Sequence, residues 1–366
     1  MAEIPFRSNV LRMSPYSPGK PIDEVKRELG LTRVIKLASN ENPLGPSPLA
    51  VAAVKKAADH IHLYPDASAH SLREALSKHY DLPMAQIVVG NGSDEIIHML
   101  GQILLGSPED EIIVGNPSFV RYDAAAGLAD CKLVKVPLSE DMRIDLPAIA
   151  KAVTPNTKLV FIANPNNPTG TIVSIEELDS FLASIPQSVV VVLDEAYFEF
   201  ADGTPGFPNS LDYVRKHPNV IGMRTFSKTY GLAGIRVGYA FVSEQISDAF
   251  DRAREPFNVN CLAQVAAIAA LSDTDHLEKT VELNRRGLER MQQAFLNLGA
   301  KPYQSYANFI IADLGKPARP VFQALLEQGI VTRSGDVLGL PNCLRVSVGN
   351  DEEVTIFIEE LTKIFS

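Results

Sequence analysis

Lys158-Leu-Val-Phe-Ile-Ala-Asn164 and Ser188-Val-Val-Val-Val-Leu-Asp194 are two apolar runs, each of which ends at a polar residue. Both are rich in β-branched residues and have the length of strands that are buried on both faces of a parallel sheet. Between them, Ser174-Ile-Glu-Glu177 has the form of a capping box, in which a serine and a glutamate three residues later begin a helix. A strand, a helix and a second strand in this order predict an α/β sheet with helices on its faces.

The alternation of strands and helices continues along most of the chain. Four more short runs predict strands, at Glu111–Val114, Lys132–Pro137, Val220–Phe226 and Arg236–Val242. We therefore expect an α/β fold in which residues 47–255 form a large domain, with a central, mostly parallel sheet flanked by helices.

The pattern changes after about Arg254, where long helical repeats replace the short runs. Helices are predicted at Cys261–Leu271, His276–Leu298 and Glu352–Phe365, and short strands near Phe309–Ala312 and Leu344–Val348. Residues 256–366 are therefore expected to form a smaller α+β domain. Residues 1–46 are rich in proline and lack a long periodic run, so we expect an arm that packs with the small domain or with a partner subunit.

Length and composition exclude several classes of protein. A chain of 366 residues is too long for one ordinary core, which favours two domains. A net charge of −10 without a block of basic residues argues against nucleic acid as a partner. The apolar runs are far shorter than the roughly 20 residues of a bilayer span. Because the N-terminus also lacks a basic segment followed by an apolar one, a cytoplasmic protein is expected. The three cysteines fit neither a disulfide framework nor a metal site.

Four residues that follow the predicted strands match the needs of one cofactor, pyridoxal 5'-phosphate (PLP). This cofactor needs a lysine amine for its aldehyde, a carboxylate that keeps its pyridine nitrogen protonated, and hydrogen-bond donors for its phenolic oxygen. Lys228 lies just after one strand and Asp194 ends another, while Asn167 follows a third at the edge where open α/β sheets bind ligands. Asn167 and Tyr197 are the expected donors, although Asn167 also belongs to a segment with the composition of an ordinary turn.

The cofactor also needs a cradle for its phosphate, and Gly90–Glu95 has the composition of one. Small residues at the start of a helix allow backbone amides to approach an anion, although the same residues are also typical of an N-cap. Phe119 is a candidate for stacking on the pyridine ring, and its alternative role is a core aromatic. The residues expected to hold the phosphate are Gly92, Ser93, Asp94, Ser227 and Arg236.

Three motifs in this chain resemble those of the fold-type I PLP-dependent aminotransferases. They are Asn164-Pro-Asn-Asn-Pro-Thr-Gly170, Asp194-Glu-Ala-Tyr197 and Thr225-Phe-Ser-Lys228. The similarity covers nearly the whole chain, since it also includes the segments at Pro15–Lys20, Leu37–Pro43 and Leu344–Gly349. The resemblance implies that Lys228 binds the cofactor and moves protons during catalysis, and that Asp194 maintains the electron sink.

The resemblance also implies roles for residues outside these motifs. Tyr64 matches a tyrosine that reaches across a homodimer to the cofactor phosphate of the neighbouring subunit. Arg345 matches an arginine that holds a substrate carboxylate, and three further substrate contacts are implied at Tyr16, Asn40 and Arg333.

The reaction implied by the resemblance is amino transfer from histidinol phosphate to 2-oxoglutarate, giving imidazole acetol phosphate and glutamate in histidine biosynthesis. Two alternatives share the cofactor motifs: an aromatic amino acid transaminase, and a PLP-dependent lyase that decarboxylates phosphothreonine. A PLP-binding transcription regulator is not expected, because the charge is wrong for reading DNA.

Overall fold

The fold is taken from a computed structural model that describes residues 4–15 and 22–366. Tyr16, an expected substrate contact, lies outside the described residues. The strands of the described part are β1 (Ile35–Lys36), β2 (Ile87–Gly90), β3 (Glu111–Asn116), β4 (Lys132–Pro137), β5 (Thr157–Ala163), β6 (Val190–Asp194), β7 (Val220–Thr225), β8 (Gly238–Phe241), β9 (Lys301–Pro302), β10 (Phe309–Asp313), β11 (Ile330–Val331), β12 (Arg333–Ser334) and β13 (Cys343–Ser347).

Helices alternate with these strands and account for most of the remaining chain. The α-helices of the described part are α1 (Ser8–Arg12), α2 (Ile22–Leu29), α3 (Pro48–Ala57), α4 (His70–Tyr80), α5 (Ser93–Leu104), α6 (Arg121–Ala129), α7 (Leu146–Ala152), α8 (Ile175–Ser184), α9 (Phe198–Ala201), α10 (Ser210–Val214), α11 (Glu244–Ala253), α12 (Cys261–Leu271), α13 (Thr274–Asn297), α14 (Ala318–Glu327) and α15 (Asp351–Phe365). Short 3-10 helices lie at Ala58–His60, Met84–Gln86, Ala233–Ile235 and Gly335–Leu338.

The largest sheet has seven strands in the order β2-β8-β7-β6-β5-β3-β4. Strands β4, β3, β5, β6 and β7 are parallel, and only β8 runs against its neighbours. The predicted α/β fold with a mostly parallel central sheet is therefore confirmed. The capping box predicted at Ser174 is also present, since its side chain accepts from the Glu177 amide and Glu177 bonds back to the Ser174 amide.

The apolar strands are continuous runs because helices cover both faces of the sheet. Along β5, Val160 and Ile162 belong to the core on one face, whereas Leu159 and Phe161 belong to the core on the other. The side chains of a strand point alternately to the two faces of the sheet. A strand that is buried on both faces therefore has apolar residues at successive positions. The central strands therefore expose mainly their ends to solvent, and polar residues collect there.

A third core lies in the C-terminal part of the chain, beneath a four-stranded sheet in the order β12-β13-β10-β9. Helices α13 and α15 contribute Phe295 and Phe357 to it, and the arm contributes Ile35 and Leu37. Strand β1 of the arm pairs in parallel with β11. In contrast, α1 lies on α6, where the Asn9 side-chain amide donates to the Gly127 carbonyl at 2.8 Å.

The packing bears on where the two domains divide. Helix α12 buries Ala263, Ala266, Ala267 and Ala270 in the core that covers the Val160 face of the large sheet. The sequence instead predicts that residues from 256 onward belong to the small domain. We propose an arm to about residue 46, a large domain that continues through α12, and a small domain that begins with α13. None of the helices in the described ranges is long and apolar enough to span a bilayer.

Candidate active site

A deep cavity opens at the end of the large sheet where β5, β6 and β7 finish. Register pairs Ala163 with Asp194 and Asp194 with Met223, so β5 and β6 end level with each other and β7 continues two residues further. Strand β8 is antiparallel, which brings the residues before it to the same edge. The cavity is lined by Ala38, Ser39, Asn40, Ser93, Asp94, Ser118, Phe119, Val120, Ala163, Pro165, Asn167, Asp194, Ala196, Tyr197, Thr225, Ser227, Lys228, Ala233, Arg236, Arg333, Leu338 and Arg345.

Lys228 lies in the turn that follows β7, and its amine is inside the cavity. Its Nζ is 3.5 Å from the Ser39 carbonyl oxygen and 5.7 Å from the centre of the Tyr197 ring. Burial of the amine, reinforced by the nearby Arg345 guanidinium, lowers the pKa of Lys228 to about 8. At pH 7 a lysine with this pKa is mainly charged, but about a tenth of it is in the neutral form that a nucleophile or a base requires, far more than for an ordinary lysine.

Asp194 is the last residue of the central strand β6, and its carboxylate is almost fully buried. Burial raises the pKa of Asp194 to about 6, although two hydrogen bonds to the carboxylate oppose this shift. The Tyr122 hydroxyl donates to Oδ2 at 2.7 Å, and the Ala196 amide donates to Oδ1 at 3.2 Å. Neither of these donors is a cation, so the carboxylate is suited to a cationic ligand.

Tyr122 is a residue that the sequence does not single out, yet it is the side-chain donor to Asp194. It comes from α6 and is itself fully buried, with its ring stacked on Phe161 at 4.3 Å between centroids. Burial and the Asp194 carboxylate hold the pKa of Tyr122 well above its usual range, so the phenol keeps its proton. Its position three residues after Phe119, on the inner face of a helix, is the only signal in the sequence, and such spacing is also typical of core aromatics.

Tyr197, Asn167 and Asn40 form a cluster on the small-domain side of the cavity. The side-chain amides of Asn40 and Asn167 donate to the Tyr197 hydroxyl, at 2.9 Å and 3.4 Å. Asn40 has a left-handed backbone, with φ of 55°, and its Oδ1 accepts from the Ser347 hydroxyl at 2.7 Å. The cluster therefore ties the arm and the small domain to the wall of the cavity.

The predicted phosphate cradle is formed where β2 meets α5. Helix α5 begins at Ser93 after Gly92, whose φ is 77°, and no side chain caps its first amides. A Cβ at Gly92 would lie 2.5 Å from an Arg236 guanidinium nitrogen, so the close approach of that guanidinium requires glycine. Arg236 also forms an ion pair with Asp94 at 3.3 Å. The uncapped amides and the guanidinium together present an anion-binding surface.

One correction concerns the strand that follows Arg236. The sequence places Arg236 at the start of a strand, but β8 begins at Gly238 and Arg236 has a left-handed backbone with φ of 59°. Asp94 lines the cavity in the first turn of α5, and its carboxylate contacts the guanidinium of Arg236 at 3.3 Å. Ser227 lines the same cavity as the start of α5, and its hydroxyl is 3.0 Å from the Thr225 hydroxyl.

Arg333 and Arg345 lie together at the small-domain wall of the cavity. They stand directly opposite each other in the antiparallel pair of β12 and β13. Arg345 donates to Asn167 Oδ1 at 2.6 Å and to the Ala38 carbonyl at 2.8 Å. Two guanidinium groups on adjacent strands give this wall a positive charge, which suits a carboxylate or a phosphate.

Phe119 lines the cavity and contacts Tyr122 edge to face, with ring centroids 5.7 Å apart.

Tyr64 is a predicted site residue that lies away from the cavity of its own chain. Its side chain is 83% exposed and stacks on Phe257 at 4.7 Å between centroids.

The arrangement fits the requirements of PLP on three observations. Asp194 is a buried carboxylate that accepts from a phenol and a backbone amide, both of them neutral donors. Lys228 is an amine with a lowered pKa, and the amides of α5 face the cavity without a cap. The described residues contain no group of His, Cys, Asp or Glu side chains placed to hold a metal ion.

Comparison with known proteins identifies the family. Residues 32–361 match the family Aminotransferase class I and II. The chain is 49% identical over 361 residues to the histidinol-phosphate aminotransferase of Moorella thermoacetica, which covers 98% of this chain and 93% of that protein.

Solved structures agree with this result. The crystal structure of histidinol-phosphate aminotransferase from Sinorhizobium meliloti in complex with pyridoxal-5'-phosphate superposes with a TM-score of 0.91 at 30% identity, over 100% of this chain and 98% of that one. L-threonine-O-3-phosphate decarboxylase from Porphyromonas gingivalis shares the fold alone, with a TM-score of 0.79 at 22% identity over 90% of this chain and 99% of that one. With the match extending from residue 32 to residue 361, the chain belongs to the class I and II aminotransferase family.

Proposed function

We propose that this chain is a PLP-dependent transaminase that transfers the amino group of histidinol phosphate to 2-oxoglutarate, giving imidazole acetol phosphate and glutamate in histidine biosynthesis. The observation that carries this proposal is the 49% identity, over nearly the full length, to a histidinol-phosphate aminotransferase. The cavity supports it with a lysine, a buried carboxylate and an anion cradle in one place. A cytoplasmic location belongs to the same proposal, because the substrates are small charged metabolites.

Each part of the cavity has a role in holding the cofactor. PLP, when bound, supplies a protonated pyridine ring that withdraws electrons from the bond broken at the substrate α carbon. Asp194 holds the proton on the ring nitrogen, because its buried carboxylate is stabilised by a cation. Asn167 and Tyr197 would donate to the phenolic oxygen of PLP, and Phe119 would pack against its ring. The phosphate would be held at the start of α5 by Gly92, Ser93 and Asp94, together with Ser227 and Arg236, and the Asp94 carboxylate orients the Arg236 guanidinium.

Lys228 is the residue that moves the proton. Its neutral Nζ would take the proton from the α carbon of the amino donor and, in the return half of the reaction, would deliver a proton to the α carbon of 2-oxoglutarate, which becomes glutamate. The lowered pKa of Lys228, near 8, makes that form accessible at neutral pH.

The positive wall of Arg333 and Arg345 is proposed to receive the anionic end of each substrate in turn. Histidinol phosphate presents a phosphate and glutamate presents carboxylates, and both anions accept bidentate hydrogen bonds from a guanidinium. Asn40 closes this side through its bond to Tyr197. Tyr16 is proposed as a further contact to the substrate.

The proposed active unit is a homodimer in which Tyr64 reaches the cofactor phosphate of the neighbouring subunit. Two features support this: Tyr64 is 83% exposed, and it lies outside the cavity of its own chain. An exposed aromatic stacked on another aromatic is typical of a surface that a partner covers.

Substrate preference gives the test. We would compare kcat/KM for histidinol phosphate and for phenylalanine with 2-oxoglutarate, following glutamate. A preference of several hundredfold, about 3.5 kcal/mol of differential transition-state binding, is the expected result. Comparable values would replace the proposal with an aromatic or broad transaminase. Release of carbon dioxide from phosphothreonine without glutamate formation would replace it with a lyase.

A further inference from the structure

Glu199 is an acidic residue that the proposed reaction does not use, and it lies against the turn that carries the lysine. It belongs to the short helix α9, and it does not line the cavity. Its Oε2 accepts from the Thr229 hydroxyl at 3.0 Å. Its Oε1 is buried and has no hydrogen-bond partner among the described residues.

Thr229 follows Lys228 directly and is fully buried, with no exposed side-chain surface. Its hydroxyl is bound by Glu199, and its carbonyl oxygen accepts from the Asn42 side chain at 2.8 Å. Asn42 in turn donates to Thr280 on α13 at 3.1 Å. The residue after the lysine is therefore held by its side chain from one element and by its backbone from another.

The groups around Glu199 act on its pKa in opposite directions. Burial raises the pKa of Glu199 to about 7, while the nearby Arg224 guanidinium favours the ionised carboxylate. Arg224 forms an ion pair with Glu195, in which the Arg224 Nε lies 2.8 Å from the Glu195 Oε2. The negative charge of Glu195 opposes ionisation of Glu199. Tyr80, Tyr230 and Tyr239 also face this pocket, and their pKa values are raised by burial.

We propose that Glu199 is a positioning residue for Lys228, which acts from outside the cavity lining through the hydroxyl of Thr229. The inference rests on the proposed function, because it assigns a purpose to the exact placement of the Lys228 amine. Proton transfer requires the amine within hydrogen-bond reach of the substrate α carbon, and a displacement of about 1 Å can cost about 100-fold in rate. The bond from Thr229 to Glu199 fixes the backbone one residue away from that amine.

Thr229→Val tests the bond with little change in shape, because valine replaces the hydroxyl by a methyl group. We expect kcat to fall about 10- to 100-fold while KM changes less than about threefold, because the substrate-binding arginines are untouched. Thr229→Ser keeps the donor and should retain most of the activity. Glu199→Ala should match Thr229→Val, and the double variant should be no worse than either, because both remove the same bond.

A spectroscopic readout separates positioning from general destabilisation. The visible absorbance of the holoenzyme should be titrated with pH in the absence of substrate, and in Thr229→Val its inflection should move by about half a unit or more. Thr157→Val is the matched control, because Thr157 is a buried threonine at the start of β5 that donates to Glu111 at 3.2 Å. It should lower the melting temperature without moving kcat or the inflection.

The outcomes distinguish this inference from the proposed function. If Lys228→Ala keeps the visible absorbance of wild type, the proposed function fails. If Lys228→Ala loses it while Thr229→Val matches wild type in kcat and inflection, the proposed function stands and Glu199 has no positioning role. Glu199→Gln retains an acceptor oxygen, so a loss as large as that of Glu199→Ala would also overturn the inference. Should Thr229→Val not fold, Glu199→Gln against Glu199→Ala makes the same comparison.

Discussion

Tyr122→Phe removes a single hydroxyl from the environment of Asp194, and we expect it to impair catalysis well beyond its effect on stability. Phenylalanine keeps the ring that stacks on Phe161, so packing is preserved. What is lost is the 2.7 Å hydrogen bond to the buried carboxylate. Asp194 then retains the hydrogen bond from the Ala196 amide, at 3.2 Å.

The size of the effect follows from the charge on the acceptor. A hydrogen bond to an ionised group is worth about 1.5–3 kcal/mol, which corresponds to a rise of about one to two units in the pKa of Asp194. Since the pKa of Asp194 is already about 6, Asp194 would be largely protonated at neutral pH in the variant when no ligand is bound. A protonated Asp194 holds a ring-nitrogen proton poorly, so we expect kcat/KM to fall about 10- to 100-fold at pH 7.

The sign of the pH dependence can be stated for the apoprotein. Because the folded pKa of Asp194 is raised from 3.8 to about 6, this group favours the folded state most below pH 4, and that contribution is lost as the pH rises to about 6. The full effect is of the order of 3 kcal/mol. In Tyr122→Phe the folded pKa of Asp194 is higher, so the contribution of this group to stability should continue to fall up to a higher pH. The unfolding free energies of the variant and of wild type should therefore differ more at pH 8 than at pH 5.

The assay is steady-state kinetics of the holoenzyme together with denaturant unfolding of the apoprotein at several pH values. Tyr213→Phe is the matched control, because Tyr213 donates to Asp179 at 2.8 Å in a place away from the cavity. We expect this control to change kcat/KM by less than about twofold. The reasoning is refuted if Tyr122→Phe keeps wild-type kcat/KM at pH 7, or if Tyr213→Phe loses as much activity.

Three further predictions concern the cofactor site. Tyr64→Phe and Lys228→Ala should each be impaired alone but regain partial activity when subunits are exchanged between them; no recovery would argue against a site shared between subunits. Gly92→Ala should weaken PLP binding at least tenfold by equilibrium titration, because its Cβ would lie 2.5 Å from Arg236 and its φ of 77° disfavours alanine. The rate at which apoprotein combines with PLP should rise with pH and level off above about 8, the pKa of Lys228, and a rate that is flat from pH 6 to 9 would contradict that value.

Most of the large sheet could be predicted because a strand that is buried on both faces appears in the sequence as a continuous apolar run. The predicted strands Lys158–Asn164 and Ser188–Asp194 correspond to β5 and β6, which are buried along nearly their whole length. Polar residues at the ends of such strands, such as Asp194, are conspicuous in an apolar run. The sequence alone therefore points to residues that do line one cavity.

Other features depend on contacts that have no local signature. The antiparallel direction of β8 is set by pairing with β7 and β2, and the approach of Arg236 to Gly92 follows from it. Tyr122 and Thr229 are ordinary buried residues until their hydroxyl partners are known. The packing of α12 against the large sheet likewise depends on long-range contacts, since its alanines would suit a helix in either domain.

The two titratable groups at the centre of the site are perturbed in opposite directions by the same cause. Burial raises the pKa of Asp194 to about 6 and lowers that of Lys228 to about 8, so each group is pushed toward its neutral form. At pH 7 both are still mainly charged, and the apoprotein therefore bears two burial penalties in one cavity. A ligand that brings a cationic ring nitrogen to Asp194 and takes up the amine of Lys228 relieves both at once. Relief of these two penalties is thus part of what makes the site selective for such a ligand.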